Sequence, residues 1–190
     1  MPFSLSPLDQ LLPDDFNTPS VPGLKIPAQF YWLRIAQPSL AGMQLPSRDT
    51  PWDELYRNGF RWIACLCSNL PLYDPGPLRS LVAVELCDLA ETELPEDPEM
   101  EEGAIRIIAD AVVQRLEQGE GVLVHCAGGR GRTGTVVGSA LVKMGYPPTE
   151  VISYLNALHS ARGKPDWPES QWQGDVVKRA HANNPTSDHK

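Results

Sequence analysis

The run His125-Cys126-Ala127-Gly128-Gly129-Arg130-Gly131-Arg132-Thr133-Gly134 sets a thiol and a guanidinium at the two ends of a glycine-rich turn. A cysteine attacks as its thiolate, and an arginine fork grips two oxygens of one phosphate in a way that lysine does not. Upstream, Gly121-Val122-Leu123-Val124 predicts a buried strand, and Thr135 to Val142 predicts a helix. The turn between them then lies at a helix N-terminus. There, free backbone N–H groups and the positive end of the dipole face any anion in the loop and lower the pKa of a thiol at its mouth. The expected roles are Cys126 as nucleophile, Arg132 as clamp and His125 in support. Ala127, Gly128, Gly129, Arg130, Gly131 and Thr133 form the wall around the bound phosphate. The glycines are expected to let the backbone approach the ligand where a Cβ would obstruct it. The Thr133 hydroxyl is placed to hydrogen-bond the departing sulfur.

Three other readings of the same residues are weaker. Gly129-x-Gly131-x-x-Gly134 also spells a dinucleotide fingerprint, but that fold needs a second strand ending in an acidic residue about twenty positions on. Glu150 falls instead inside a predicted helix, and no Gly-Lys-Ser/Thr is present for a Walker loop. A purely structural cysteine leaves the arginines and glycines unexplained.

The elements that must hold this loop are legible around it. Phe30 to Ile35 predicts a strand, Pro38 to Gly42 leads into a second, and Thr50-Pro51-Trp52-Asp53-Glu54 predicts a short helix to Asn58. Phe60 to Leu66 and Leu81 to Leu86 predict two more strands. Pro98 to Gln118 predicts the clearest helix, with Ile105, Ile108, Ala109, Val112 and Leu116 on one face. A helix capped by Thr149 follows from Glu150 to His159, and a last one runs from about Pro168 to Ala182. Strands alternating with helices predict an α/β three-layer sandwich: a central, mostly parallel sheet of about four or five strands flanked by helices. The expected organisation is an extended arm over residues 1–27, a catalytic domain over 28–182 and a flexible tail over 183–190.

Composition bounds the function. The 190 residues are 42% hydrophobic, enough for one substantial core, and the formal net charge of −8 disfavours nucleic acid and anionic membranes as partners. No apolar run approaches the length of a membrane span, and Met1 to Asp15 lacks the pattern of a signal peptide, so a cytoplasmic, monomeric enzyme is expected. Cys65, Cys67, Cys87 and Cys126 are too few for a disulfide framework. Cys65-x-Cys67 lacks ligand spacing, and the histidines at 125, 159, 181 and 189 are not expected beside it, so neither metal nor cofactor is expected.

The segment from His125 to Gly134 resembles the signature loop of the cysteine-dependent protein tyrosine and dual-specificity phosphatases: His-Cys, five residues, Arg, Ser or Thr, Gly. Ala41-Gly42-Met43-Gln44-Leu45-Pro46 is similar to the family's early turn, and Arg162-Gly163 with Glu169-Ser170-Gln171-Trp172-Gln173 is similar to its closing segment. The resemblance spans about residues 30 to 180. It implies a phosphatase-like fold and a two-step reaction through a cysteinyl-phosphate, without metal. It also implies a carboxylic acid on a separate loop, just past the strand that precedes the long helix. Asp88 fits that position; Glu91, four residues before Pro95, fits the family's acid-to-proline spacing, and Glu93 and Asp97 are nearby. Gln173 matches a glutamine that either holds the hydrolytic water or only packs.

The length and compact loop fit the small dual-specificity-like branch, whose substrates are phosphorylated proteins or peptides: phosphotyrosine, with some phosphoserine and phosphothreonine. Arg130 stands where lipid-directed members carry lysine, whereas Ala127 is neutral where they carry a second one. A phosphoinositide phosphatase, a non-catalytic phosphate-recognition module and a thiol-dependent reductase remain alternatives. For the last, Cys65, Cys67 or Cys87 would be a resolving thiol, and Cys67 or Cys87 a protective disulfide partner under oxidation.

Overall fold

The computed structural model describes residues 19–90 and 93–180. The chain forms a five-stranded sheet with helices on both sides. In chain order the elements are β1 (Phe30–Arg34), β2 (Leu40–Met43), α1 (Trp52–Arg57), β3 (Phe60–Cys65), β4 (Arg79–Ala83), α2 (Pro98–Glu117), β5 (Gly121–His125), α3 (Gly131–Lys143), α4 (Pro148–Ala161) and α5 (Gln171–Arg179). The strands lie in the order β1-β2-β5-β3-β4. β1 and β2 are antiparallel, and every other pairing is parallel. β5 occupies the centre with all five residues buried, which is why Gly121 to Val124 reads as an unbroken apolar run rather than an alternation.

Alternation across the strands builds two cores. Tyr31, Leu33, Val122 and Val124 face α2, α3, α4 and α5, whereas Phe30, Trp32, Phe60, Ile63 and Leu123 face the opposite side with Leu55 of α1. Val21 closes that second core, and the Trp32 indole donates to the Pro19 carbonyl at 2.9 Å, so residues 19 and 21 are pinned to the sheet. Residues 1–18 and 181–190 lie outside the described part.

Several boundaries differ from the sequence expectation, each for a local reason. α3 starts at Gly131, not Thr135, because the second half of the signature loop is already helical: Gly134 N–H donates to the Arg130 carbonyl at 2.6 Å. α4 has Pro147 as its N-cap and Pro148 at its first position, leaving Thr149 inside the helix. The Thr50 hydroxyl accepts from the Ser47 amide at 2.9 Å instead of capping α1. α5 begins only at Gln171, behind a Ser170 cap. β4 ends at Ala83 rather than Leu86, since the chain beyond it turns onto the end of β3. Val84 and Leu86 donate to the carbonyls of Cys65 and Leu66, and Cys67 and Glu85 form one antiparallel bridge. That turn delivers Asp88 above the C-terminal end of β5.

Every residue of α3 from Gly131 to Val142 is buried. Its small and apolar residues let neighbours pack on all sides, and α2, α4 and α5 enclose it. The loop that precedes it is thereby joined to a fully buried helix.

Candidate active site

Cys126 leaves the central strand at its C-terminal end, 3% exposed, and the loop from Ala127 to Arg130 climbs into α3. Three successive carbonyls of this loop point backwards into the protein. Ala127 C=O accepts from the Leu45 amide at 3.0 Å. Gly128 C=O accepts from Arg162 Nη2 at 3.5 Å, and Gly129 C=O accepts from both Arg162 Nη1 at 2.7 Å and the Tyr31 hydroxyl at 3.0 Å. In a planar trans peptide the next N–H points opposite to the carbonyl. The amides of Gly128, Gly129 and Arg130 therefore turn to the opposite, front side of the loop, joined by the start of α3, as an anion requires.

Arg162 is the residue that imposes this shape. It is 7% exposed, stacks on the Tyr31 ring at 4.3 Å, and also donates to the carbonyls of Pro27 at 3.0 Å and Ala28 at 3.2 Å. The sequence flags it only as part of a closing motif.

The glycines serve the back of the loop more than its ligand face, a correction to the expectation. Gly129 has φ +63°, and a Cβ there would lie 2.5 Å from the Met43 carbonyl carbon. At Gly131 and Gly134 a Cβ would collide with the Glu169 carboxylate and the Trp167 indole, whereas at Gly128 it would meet nothing within 4 Å.

Arg132 is 8% exposed, in the first turn of α3. Its Nη2 lies 2.8 Å from Asp88 Oδ2 and its Nη1 donates to the Leu86 carbonyl at 3.4 Å. Its Nε and the buried Thr133 hydroxyl have no hydrogen-bond partner among the described residues. A phosphate oxygen at the loop would supply acceptors for such donors. The Asp88 side chain is 70% exposed, so it stands at the mouth of the loop rather than in its floor.

The remaining carboxylates divide clearly. Glu93 accepts from the Ala90 amide at 2.8 Å, and Asp97 caps α2 by accepting from Met100 N–H at 3.0 Å. Glu91 lies outside the described residues. Arg130 is tied to Glu169, Nε to Oε1 at 2.6 Å, so its guanidinium charge is already paired within the protein. Gln173 is 2% exposed, and its Oε1 accepts from the amides of Glu169 at 2.9 Å and Ser170 at 3.3 Å, a capping box that starts α5.

His125 is fully buried. Its Nδ1 lies 3.4 Å from the Cys126 carbonyl, which can only accept, so Nδ1 carries the hydrogen and Nε2 accepts from the Tyr73 hydroxyl. Burial lowers its pKa to about 4 and that of His159 to about 3, the Arg162 charge adding to burial at His159. Both imidazoles are neutral in the fold. Since each folded pKa lies below the ordinary 6.5, the unfolded chain binds more protons between them. Stability is therefore fully present above pH 6.5 and falls as pH drops toward 4, by up to about 1.4 kcal/mol per pH unit for each histidine. Urea midpoints measured from pH 7.5 to 4.5 check this, and His159→Gln should flatten the slope.

The expectation that no histidine joins Cys65 and Cys67 is corrected. β3 and β5 pair Cys65 with His125, and ligand atoms of Cys65, Cys67 and His125 all lie within 4.8 Å of one another.

The comparisons with known proteins agree with this fold. The family described as "Swiss Army Knife protein, DSP-PTPase phosphatase domain" matches residues 27–171. The chain belongs to that family. Among solved structures, this DSP-PTPase domain is similar to kinase associated phosphatase carrying serine for its catalytic-site cysteine, with a TM-score of 0.59, 17% identity, and 85% of this chain and 99% of that one covered. It is similar to the active form of Tk-PTP (TM-score 0.53, 22% identity, 84% and 100% covered). It is also similar to PTPMT1 in complex with PI(5)P (TM-score 0.56, 15% identity, 80% and 94% covered). These likenesses fix the fold of the DSP-PTPase domain, an α/β sandwich with a mostly parallel sheet.

Proposed function

We propose that the domain hydrolyses phosphate monoesters on proteins, phosphotyrosine foremost and phosphoserine and phosphothreonine with it, through a cysteinyl-phosphate. The observation that carries this reading is the contact between Asp88 and Arg132 at 2.8 Å, which sets a carboxyl group at the mouth of a phosphate cradle with a cysteine at its base.

A phosphate dianion entering the loop takes over Arg132 from Asp88 and meets the inward amides. The carboxyl group is left beside negative charge, which favours its acid form. The Cys126 thiolate attacks phosphorus in line, the S–P bond forms as the P–O bond breaks, and Asp88 gives its proton to the leaving oxygen. Arg132 and the loop amides hold the equatorial oxygens throughout. Asp88, now carboxylate, takes a proton from water as its oxygen attacks phosphorus. The S–P bond breaks, the Thr133 hydroxyl stabilises the departing sulfur, and inorganic phosphate leaves. No step requires a metal. The four free thiols suit a reducing compartment such as the cytoplasm.

The charge on the loop favours simple monoesters over polyphosphorylated inositol lipids. Arg130, the position that suggests a lipid headgroup, is neutralised by Glu169, and Ala127 adds no charge. The test is turnover in EDTA near pH 6 of an aryl phosphate, then of phosphopeptides and phosphoinositides side by side. Faster turnover of phosphopeptides is expected. Faster lipid turnover would replace the proposed substrate, and binding without turnover would make the domain a recognition module.

Asp88→Asn should lower kcat by about 10²–10⁴ on an alkyl phosphate and by less on an aryl phosphate whose phenoxide leaves unaided. Unchanged rates in Asp88→Asn, with a loss in Glu91→Gln, would move the acid to Glu91.

A further inference from the structure

Beside Cys126, at the C-terminal ends of β3 and β5, the sheet brings together two sulfurs and an imidazole that the reaction above does not use. Cys65 and His125 are neighbours across the parallel pair, and Cys67 is returned to them by the turn that bridges to Glu85. Their ligand atoms lie within 4.8 Å of one another. We propose that Cys65, Cys67 and His125 form a binding site for a thiophilic divalent cation of the zinc class, and that its occupation switches the phosphatase off.

Three features of the site support this. The donor set is two sulfurs and one imidazole, which suits zinc and cadmium and excludes calcium and magnesium. With Zn–S near 2.3 Å and Zn–N about 2.0–2.1 Å, ligand atoms of a tetrahedral site stand about 3.5–3.8 Å apart, so the trio needs to close by only about 1 Å. The tautomer is also the right one. His125 commits Nδ1–H to the Cys126 carbonyl and keeps the Nε2 lone pair as its ligand atom, which is how metal-binding histidines are usually oriented.

The Tyr73 hydroxyl now occupies Nε2, and Tyr73 belongs to a half-exposed stretch beside the exposed Leu70 and Leu72. Cys67 is likewise half-buried, so a cation reaches the trio from solvent by displacing that hydroxyl. Binding releases two protons, one from each thiol: two S–H bonds are exchanged for two metal–sulfur bonds, with no electron transferred and the metal–thiolate unit left neutral. The effect on catalysis is therefore positional rather than electrostatic. His125 is the residue before Cys126 and is bonded to its carbonyl, so pulling the imidazole toward the sulfurs displaces the base of the cradle. The inhibitory half of the proposal rests on the reading of Cys126 as nucleophile; the binding half does not.

The experiment titrates reduced, desalted full-length protein with Cd²⁺, following thiolate-to-cadmium charge-transfer absorbance, and with Co²⁺, following the visible bands of a tetrahedral site. Cys126→Ser should keep one equivalent of both signals, and Cys67→Ser and Cys65→Ala should each lose them. In parallel, one equivalent of Zn²⁺ should lower wild-type aryl phosphate turnover at least tenfold and EDTA should restore it, while Cys67→Ser stays active. Cys67 is half-exposed, so its serine variant keeps the test intact if Cys65→Ala does not fold. Signals lost in Cys126→Ser but kept in Cys67→Ser would put the metal on the nucleophile and overturn the site. Bands as expected with zinc-insensitive turnover would overturn the switch. A wild type with no turnover would overturn the catalytic reading and the inhibition with it, while the bands would still decide the site.

Discussion

Cys126→Ser is expected to lower phosphate monoester turnover by about 10⁴-fold or more, the scale of losing a covalent nucleophile, while the protein still binds its substrate. Serine keeps the size of the side chain, so the fold around β5 and α3 has no reason to change, but its hydroxyl has no thiolate to offer at neutral pH. The cradle remains. The inward amides of Gly128, Gly129 and Arg130 and the Arg132 fork are untouched, so a phosphotyrosine peptide should bind to this variant and stay bound. Calorimetry with the peptide and a stopped assay of released phosphate measure the two quantities separately. Turnover within tenfold of wild type would show that another group attacks phosphorus.

Arg132→Lys tests the clamp, and the expected loss in kcat/KM is about 10²–10³. A lysine ammonium keeps the charge and fits the space, but offers a point rather than a planar fork. It cannot span two phosphate oxygens while its stem stays in the first turn of α3. The Leu86 carbonyl and the Asp88 carboxylate also lose the partner that now orders the acid loop. Both kcat and KM should therefore worsen, and a competitive oxyanion such as vanadate should bind more weakly by a similar factor. An Arg132→Lys enzyme with wild-type kinetics would show that the loop amides alone carry the transition-state charge.

What could be read from the sequence is what is local. Cys126, Arg132, the central strand and the buried helix after it fall within one short run, where residue type, glycine spacing and apolar pattern all agree. Asp88 was within reach only through chain order, since its meeting with Arg132 depends on how the chain turns after β4. The residues that shape the loop from behind were hidden, because Tyr31 is 98 positions from Gly129 and Arg162 is 33. The Cys65–His125 pairing was hidden for the same reason: strand register is a property of the sheet, not of either strand. Glycine spacing alone suggests clearance for a ligand, whereas at Gly129, Gly131 and Gly134 the clearance is for Met43, Glu169 and Trp167, a distinction that depends on which neighbours arrive.

Because Arg162, Trp167 and Glu169 reach the loop from far down the chain, its folded shape depends on residues made about thirty to forty positions after it. A nascent chain halted shortly after Thr133 holds the whole signature but lacks the guanidinium that turns its carbonyls around. The loop can thus take its folded shape only after the segment that follows α4 has been made.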